Sequence, residues 1–102
     1  NPAYGASKAG LLGLTRSLAD RLGPDDIRVN AICPGYIRTP MQDDALQNVP
    51  GLEENYVSQS MLGRMGEAEE IGKVVRFLMS DQASFVTAEF IVVDGGVVPS
   101  QH

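Results

Sequence analysis

Thiol and imidazole groups are almost missing from this chain, whose 102 residues include one cysteine, Cys33, and one histidine, His102. A single cysteine closes no intrachain disulfide and offers no thiolate cluster to a metal. Cys33 is expected to be a small, buried strand residue, and His102, at the very end where chains fray, is assigned no role. Basic residues are also scarce, 8 Lys and Arg against 13 Asp and Glu for a formal net charge of -5. Phosphate backbones are bound by clustered Lys and Arg, so nucleic acid is excluded as the expected partner. No apolar run is long enough to span a bilayer, and the first residues lack the basic, apolar, small-residue order of a secretory signal, which predicts a cytoplasmic protein.

What is present suits one compact unit, since 43% of the residues are hydrophobic and the length leaves no room for two domains. From Ala3 to Leu22, the residues Leu11, Leu14, Leu18 and Leu22 recur at three- and four-residue steps, predicting a helix with one buried stripe that Gly23-Pro24 ends. Gly10 and Gly13 weaken that helix and are expected to let another element approach closely. Ile27 to Cys33 reads as a strand between Asp25-Asp26 and Pro34-Gly35. Residues 36–63, broken by Pro40 and Pro50-Gly51 yet partly apolar, read as an irregular lid or binding segment. Glu67 to Ser80 carries Glu67, Glu69 and Glu70 at its start and Ile71, Val74, Val75 and Leu78 on one face, predicting a second helix. Glu89 to Val93 is apolar enough to be a strand covered on both sides, closed by the turn Asp94-Gly95-Gly96.

Helix, strand, lid, helix, strand is the rhythm of a parallel sheet with crossover helices. Two strands alone leave most of a sheet unpartnered, so further strands are expected before Asn1, in keeping with the missing initiator methionine. The whole of residues 1–102 is therefore expected to be one partial domain.

Tyr4 and Lys8 stand four apart, which on a helix sets them on one face, one turn from each other. A free tyrosine with a pKa near ~10 is a poor base at neutrality. An ammonium about 4 Å away attracts the phenolate by ~1 kcal/mol in bulk water but by ~4 kcal/mol at an effective dielectric of about 20, roughly three pKa units. The pair is thus useful only in a sheltered site. Tyr-x-x-x-Lys alone is common enough that a surface helix pair is the better explanation of it. Its company is more specific, because Tyr4-Gly5-Ala6-Ser7-Lys8 leads into Ile27-Arg28-Val29-Asn30, then Pro34-Gly35-Tyr36-Ile37-Arg38-Thr39, and finally Asp94-Gly95-Gly96.

These blocks, in that order and with Gly63-Arg64-Met65-Gly66-Glu67 opening the late helix, make the chain resemble the short-chain dehydrogenase/reductase family from its first residue to Gly96. The resemblance implies an α/β fold, the carboxyl-terminal portion of a doubly wound, Rossmann-like parallel-sheet domain whose amino-terminal half is absent from the chain. It implies an oxidoreductase that moves a hydride between NAD or NADP and a secondary alcohol or ketone, with Tyr4 as general acid/base and Lys8 holding the ribose hydroxyls and lowering the Tyr4 pKa. Pro34 and Gly35 would bring backbone to the nicotinamide, Gly35 leaving room there. Ile37 would offer backbone groups to the carboxamide, Thr39 its hydroxyl, and Tyr36 would face substrate. A homo-oligomer, dimer or tetramer, packed through the Gly10 and Gly13 helix and the late helix, is implied as well.

The family's glycine-rich phosphate loop and its upstream serine and asparagine have no counterpart in this chain, and Ala88 follows Thr87 where the family usually has glycine. Two other readings stay open at this stage. One is a truncated, catalytically silent fragment acting only by packing with a partner chain. The other is an epimerase of the extended branch, against which the short stretch after Asp94 speaks.

Overall fold

The structure, a computed structural model, describes residues 2–97. Helix α1 spans Pro2–Leu22 and closes through a 3-10 turn over Gly23–Asp25. Asp26, with φ of 61°, donates its amide to the Gly23 carbonyl there, so the expected Gly23-Pro24 stop is where the sequence places it.

Strand β1 covers Ala31–Pro34, beginning four residues later than the run from Ile27 suggests. The reason lies in polar side chains. Arg28 donates to the carbonyls of Val86 and Ser80, both at 3.3 Å, and the Asn30 amide donates to Val86 O at 3.0 Å while accepting from Glu89 N at 3.1 Å. Residues 27–30 are thus pinned to the turn over residues 86–89 by side chains and a single backbone bond, Ala88 N to Val29 O at 2.8 Å, and not by a continuous ladder.

Strand β2 is the pair Ile37–Arg38, and helices α2 (Pro40–Asn48) and α3 (Leu52–Ser58) follow. The expected irregular lid is therefore largely helical. Pro40 stands at the first turn of α2, where its missing N–H costs nothing and its fixed φ favours the helix, so a residue read as a breaker is a starter. Gly51, with φ of 79°, makes the left-handed step into α3.

Strand β3 (Gly66–Glu67) pairs in parallel with β2 and runs straight into α4, Ala68–Leu78. Glu70 at the third position of α4 accepts from the Glu67 amide at 2.9 Å, half of a capping box. Strand β4, Phe90–Val93, lies parallel to β1 in the register Ala31 to Phe90 through Pro34 to Val93. This is the parallel pairing that the element order predicts.

Cover is incomplete. Ala19, Ala31, Met65, Leu78, Ala83 and Val97 are buried, but no large side chain among the described residues is fully enclosed. The leucine stripe expected to be buried is open instead, Leu11 at 41%, Leu14 at 57% and Leu18 at 36% exposure. Nothing lies within 4 Å of where side chains on Gly10 or Gly13 would sit, so the close approach expected there is not made by this chain. Val92 in β4 is also exposed, against the expectation of cover on both faces. The radius of gyration, 15.8 Å, exceeds the ~13 Å of a compact domain of about this length.

Candidate active site

The first turn of α1 meets the carboxyl end of β1, where Tyr4 reaches Cys33, and its second turn meets the start of β4, where Lys8 reaches Phe90. Parallel α/β sheets bind ligands at the carboxyl ends of their strands. Tyr4 and Lys8 share the face of α1 turned to the strands: the Tyr4 hydroxyl lies 3.9 Å from the sulfur of Cys33, near the end of β1, and either group can donate. One turn on, the Lys8 ammonium sits 5.4 Å from the centroid of the Tyr4 ring and 5.7 Å from that of Phe90 in β4. Both distances are cation–π contacts, and they hold the amine beside the phenol. Tyr4 is 39% exposed.

The phenol's electrostatics run opposite to the expectation that Lys8 lowers its pKa. The Tyr4 pKa is raised, first by the hydrogen bond with Cys33, then by desolvation, and then by the charges that Cys33, Asp94 and Tyr36 would set beside a phenolate. The physical reason is placement: Lys8 lies over the ring face, whereas the groups around the hydroxyl disfavour added negative charge. Cys33, expected to be a bland buried residue, is half-buried and shares a hydrogen-bond contact with the phenol.

Pro34 ends β1, and Gly35 N donates to Val93 O at 3.0 Å, tying the turn to β4. A β-carbon on Gly35 would fall 2.5 Å from Asp94 Cβ and 2.7 Å from its Cα. Glycine is therefore required here by packing against Asp94, not by a gap left on the open side.

Tyr36 is not turned loose toward a ligand. Its ring stacks on Tyr56 of α3 with centroids 4.4 Å apart, and its hydroxyl donates to Gln59 Oε1 at 2.6 Å. Arg38 adds an ion pair with Glu53 of the same helix. Tyr36 O accepts from Gly66 N at 2.9 Å, so the alternation of a strand turns the N–H and C=O of Ile37 to the opposite edge of β2, which no described strand pairs. Thr39 precedes α2, and its carbonyl accepts from Gln42 N and Asp43 N while its side chain makes no capping bond.

A cavity of about 140 Å³ lies between Ile37, Leu62, Ile71 and Val93, with Tyr36 and Asp94 on its wall. Its lining includes none of Tyr4, Lys8, Pro34 and Gly35. Among the described residues no cluster of His, Cys, Asp or Glu has the makings of a metal site.

Sequence reasoning missed the partnerships of Cys33, Asp94, Tyr56 and Gln59. Only Asp94 carried a signal, the Asp-Gly-Gly run, and that signal spoke of a turn without saying what the turn touches.

With this geometry in view, the likeness to known proteins is specific. A family profile described as enoyl-(acyl carrier protein) reductase matches residues 1–98. The 3-oxoacyl-(acyl-carrier-protein) reductase FabG of Thermotoga maritima is 44% identical over 95 residues, 93% of this chain and 37% of that protein. The acetoacetyl-CoA reductase of Rhizobium meliloti is 47% identical over 93 residues, covering 91% of this chain and 38% of that protein. A solved structure of 4-hydroxyisoleucine dehydrogenase complexed with NADH superposes with a TM-score of 0.81 at 40% identity, over 93% of this chain and 39% of that one. The chain belongs to the short-chain dehydrogenase/reductase family. Its fold is the carboxyl-terminal portion of that family's α/β, Rossmann-like domain, and it spans less than two fifths of the length of these relatives.

Proposed function

We propose that the full-length protein carrying this chain is an NAD- or NADP-dependent oxidoreductase that interconverts a secondary alcohol and a ketone. The observation that carries this reading is the placement of Tyr4 and Lys8 on one face of α1, with the Tyr4 hydroxyl at Cys33 near the carboxyl end of β1 and the Lys8 amine over the Tyr4 ring. A nicotinamide bound there supplies or accepts the hydride. Tyr4 exchanges the proton with the substrate oxygen, as acid in reduction and base in oxidation. Its raised pKa supports the acid role at neutral pH, where the phenol keeps its proton.

The donor set suits the cofactor's ribose and carboxamide. The Lys8 amine, over the Tyr4 ring, and the Tyr4 hydroxyl would hold the ribose hydroxyls. Pro34 and Gly35 offer backbone beside the ring, the Ile37 backbone faces an open edge, and the Thr39 hydroxyl is not used as a helix cap.

The names of the Thermotoga maritima and Rhizobium meliloti relatives, both reductases of oxoacyl compounds, place 3-oxoacyl thioesters in the first group of substrates to try. The test is a panel of ketones, cyclic ketones and 3-oxoacyl thioesters with NADH and NADPH, followed by loss of reduced-cofactor absorbance. Oxidation of either cofactor that depends on a ketone supports the reading, and no turnover across the panel sinks it.

A cytoplasmic location and a small-molecule partner in place of nucleic acid rest on composition, together with the finding that no helix among the described residues is long and apolar enough to cross a membrane. Cell fractionation checks the location. A homo-oligomer formed through α1 and α4 is also proposed, supported by the open Leu11, Leu14 and Leu18 and by exposed Phe77 and Met79 at the end of α4.

A further inference from the structure

We propose that Asp94 is a positioning residue that sets the cofactor turn at Pro34-Gly35 and the returning end of the lid at Ser60–Leu62 from a single point, an inference that rests on the oxidoreductase reading above. Two sets of contacts meet at this residue. On one side, Gly35 backs onto it so tightly that a β-carbon there would lie 2.5 Å from Asp94 Cβ, 2.7 Å from its Cα and 3.0 Å from its carbonyl oxygen. Two of these three atoms are backbone and none is the far end of a flexible side chain, so the turn cannot shift toward Asp94 and Asp94 cannot swing aside. The bond from Gly35 N to Val93 O, 3.0 Å, clamps the same turn to the residue before Asp94.

On the other side, Asp94 Oδ1 accepts from Gly96 N at 2.8 Å, a side-chain-closed turn that fixes the left-handed backbone of Gly95 (φ 66°) and Gly96 (φ 77°). That conformation presents two carbonyls to the lid. Leu62 N donates to Gly95 O at 3.0 Å, Met61 N to Gly96 O at 2.6 Å, and the Ser60 hydroxyl to Gly95 O at 3.2 Å. Ser60 also forms an antiparallel bridge with Val97. There is no slack in this contact, since a β-carbon on Gly95 would meet Ser60 Oγ at 2.9 Å and one on Gly96 would meet Met61 Cβ at 2.9 Å.

The carboxylate thus holds the shape of a turn that abuts the cofactor segment and carries the lid's last residues. Losing the Oδ1 acceptor frees Gly95 and Gly96 to leave the left-handed region, which releases the amides of Met61 and Leu62 and lets the Asp94 backbone, the stop behind Gly35, shift with the turn. A side chain important only to the fold would lower global stability without moving these two local readouts together.

The test uses the full-length protein with Asp94→Ala, which removes the acceptor, and Asp94→Asn, which keeps both shape and acceptor. Cofactor affinity is read by fluorescence titration with NADH and NADPH, and the lid by hydrogen exchange of the Met61 and Leu62 amides in native conditions. Asp94→Ala is expected to weaken cofactor binding by about three- to tenfold, the size of one lost hydrogen bond, and to speed exchange at both amides by a similar factor. Asp94→Asn is expected to keep both within about twofold of the wild type. If Asp94→Ala does not fold, Asp94→Ser, with a shorter acceptor, is expected to give smaller shifts in the same direction. The proposal is overturned if the variant that folds moves neither readout or only one, or if Asp94→Asn behaves like it. A wild type that binds neither dinucleotide overturns the functional reading and the proposal together, whereas normal wild-type binding with an unresponsive Asp94 variant overturns the proposal alone.

Discussion

The Tyr4 hydroxyl and the Cys33 sulfur lie 3.9 Å apart, and this contact is the largest cause of the upward shift in the Tyr4 pKa. In the reducing direction the phenol must hold its proton, so rate falls as pH rises through the Tyr4 pKa. Cys33→Ala removes the leading cause of the upward shift and is expected to move that alkaline limb to lower pH, with Lys8, Asp94 and Tyr36 left as the remaining charged or titratable neighbours. A pH–rate profile of ketone reduction for both proteins measures it. An unmoved limb, or one moved to higher pH, contradicts the assignment.

Glu70 gives a pH dependence of stability. Arg64 donates to both of its oxygens, at 2.7 and 2.8 Å, and Glu67 N donates to one of them, which holds the Glu70 pKa at about 2 against an ordinary 4.5. A carboxylate whose folded pKa is depressed stabilises the fold fully above its unfolded value and loses that contribution as pH falls. The window therefore runs from about 4.5 down to about 2. The stability gap between wild type and Glu70→Gln, measured by urea denaturation at stepped pH, is expected to be largest at neutral pH and to shrink through this window. The pair is half-exposed, so the gap is small at its largest.

Ala88 carries φ of 63°, a left-handed conformation that a β-carbon disfavours. Its amide donates to Val29 O at 2.8 Å, so the turn is held in place despite the side chain. Ala88→Gly is expected to stabilise the protein by about 0.5–1 kcal/mol, the relief of strain exceeding glycine's extra unfolded-state entropy. Chemical denaturation reads this directly. A destabilised variant would show that the backbone there is not strained.

The open leucines of α1 call for cover. Static light scattering of the full-length protein at micromolar concentration is expected to give the mass of a dimer or tetramer, and Leu14→Lys, on the most exposed of the three leucines, to shift it toward monomer. A monomeric wild type would remove the proposal.

Much of the fold is legible because local signals decide it. The leucine period with Gly23-Pro24 behind it gives α1 almost to the residue, and the order of elements gives the parallel pairing of β1 with β4. The rest depends on contacts between residues far apart in sequence. Arg28 and Asn30 look like ordinary strand residues until they reach the turn more than fifty positions later. Pro40 signals a break whether it ends one helix or starts another, and only the flanking backbone chooses. Periodicity likewise identifies the apolar face of α1 without saying which surface covers it. The same division holds at the site. The spacing of Tyr4 and Lys8 places them on one face, but the direction of the phenol's pKa shift is set by Cys33, Asp94 and Tyr36, which approach from other elements.

The central claim is that the phenolic oxygen of Tyr4 handles the substrate proton. Tyr4→Phe removes that oxygen and little else, leaving Lys8 and the Pro34-Gly35 turn in place. Steady-state turnover and cofactor titration, measured side by side on the full-length wild type and this variant, are the most direct check. Turnover is expected to fall by at least about a hundredfold, the lower end for a lost general acid, while cofactor affinity stays within about threefold. Turnover near the wild-type rate in Tyr4→Phe would contradict the account.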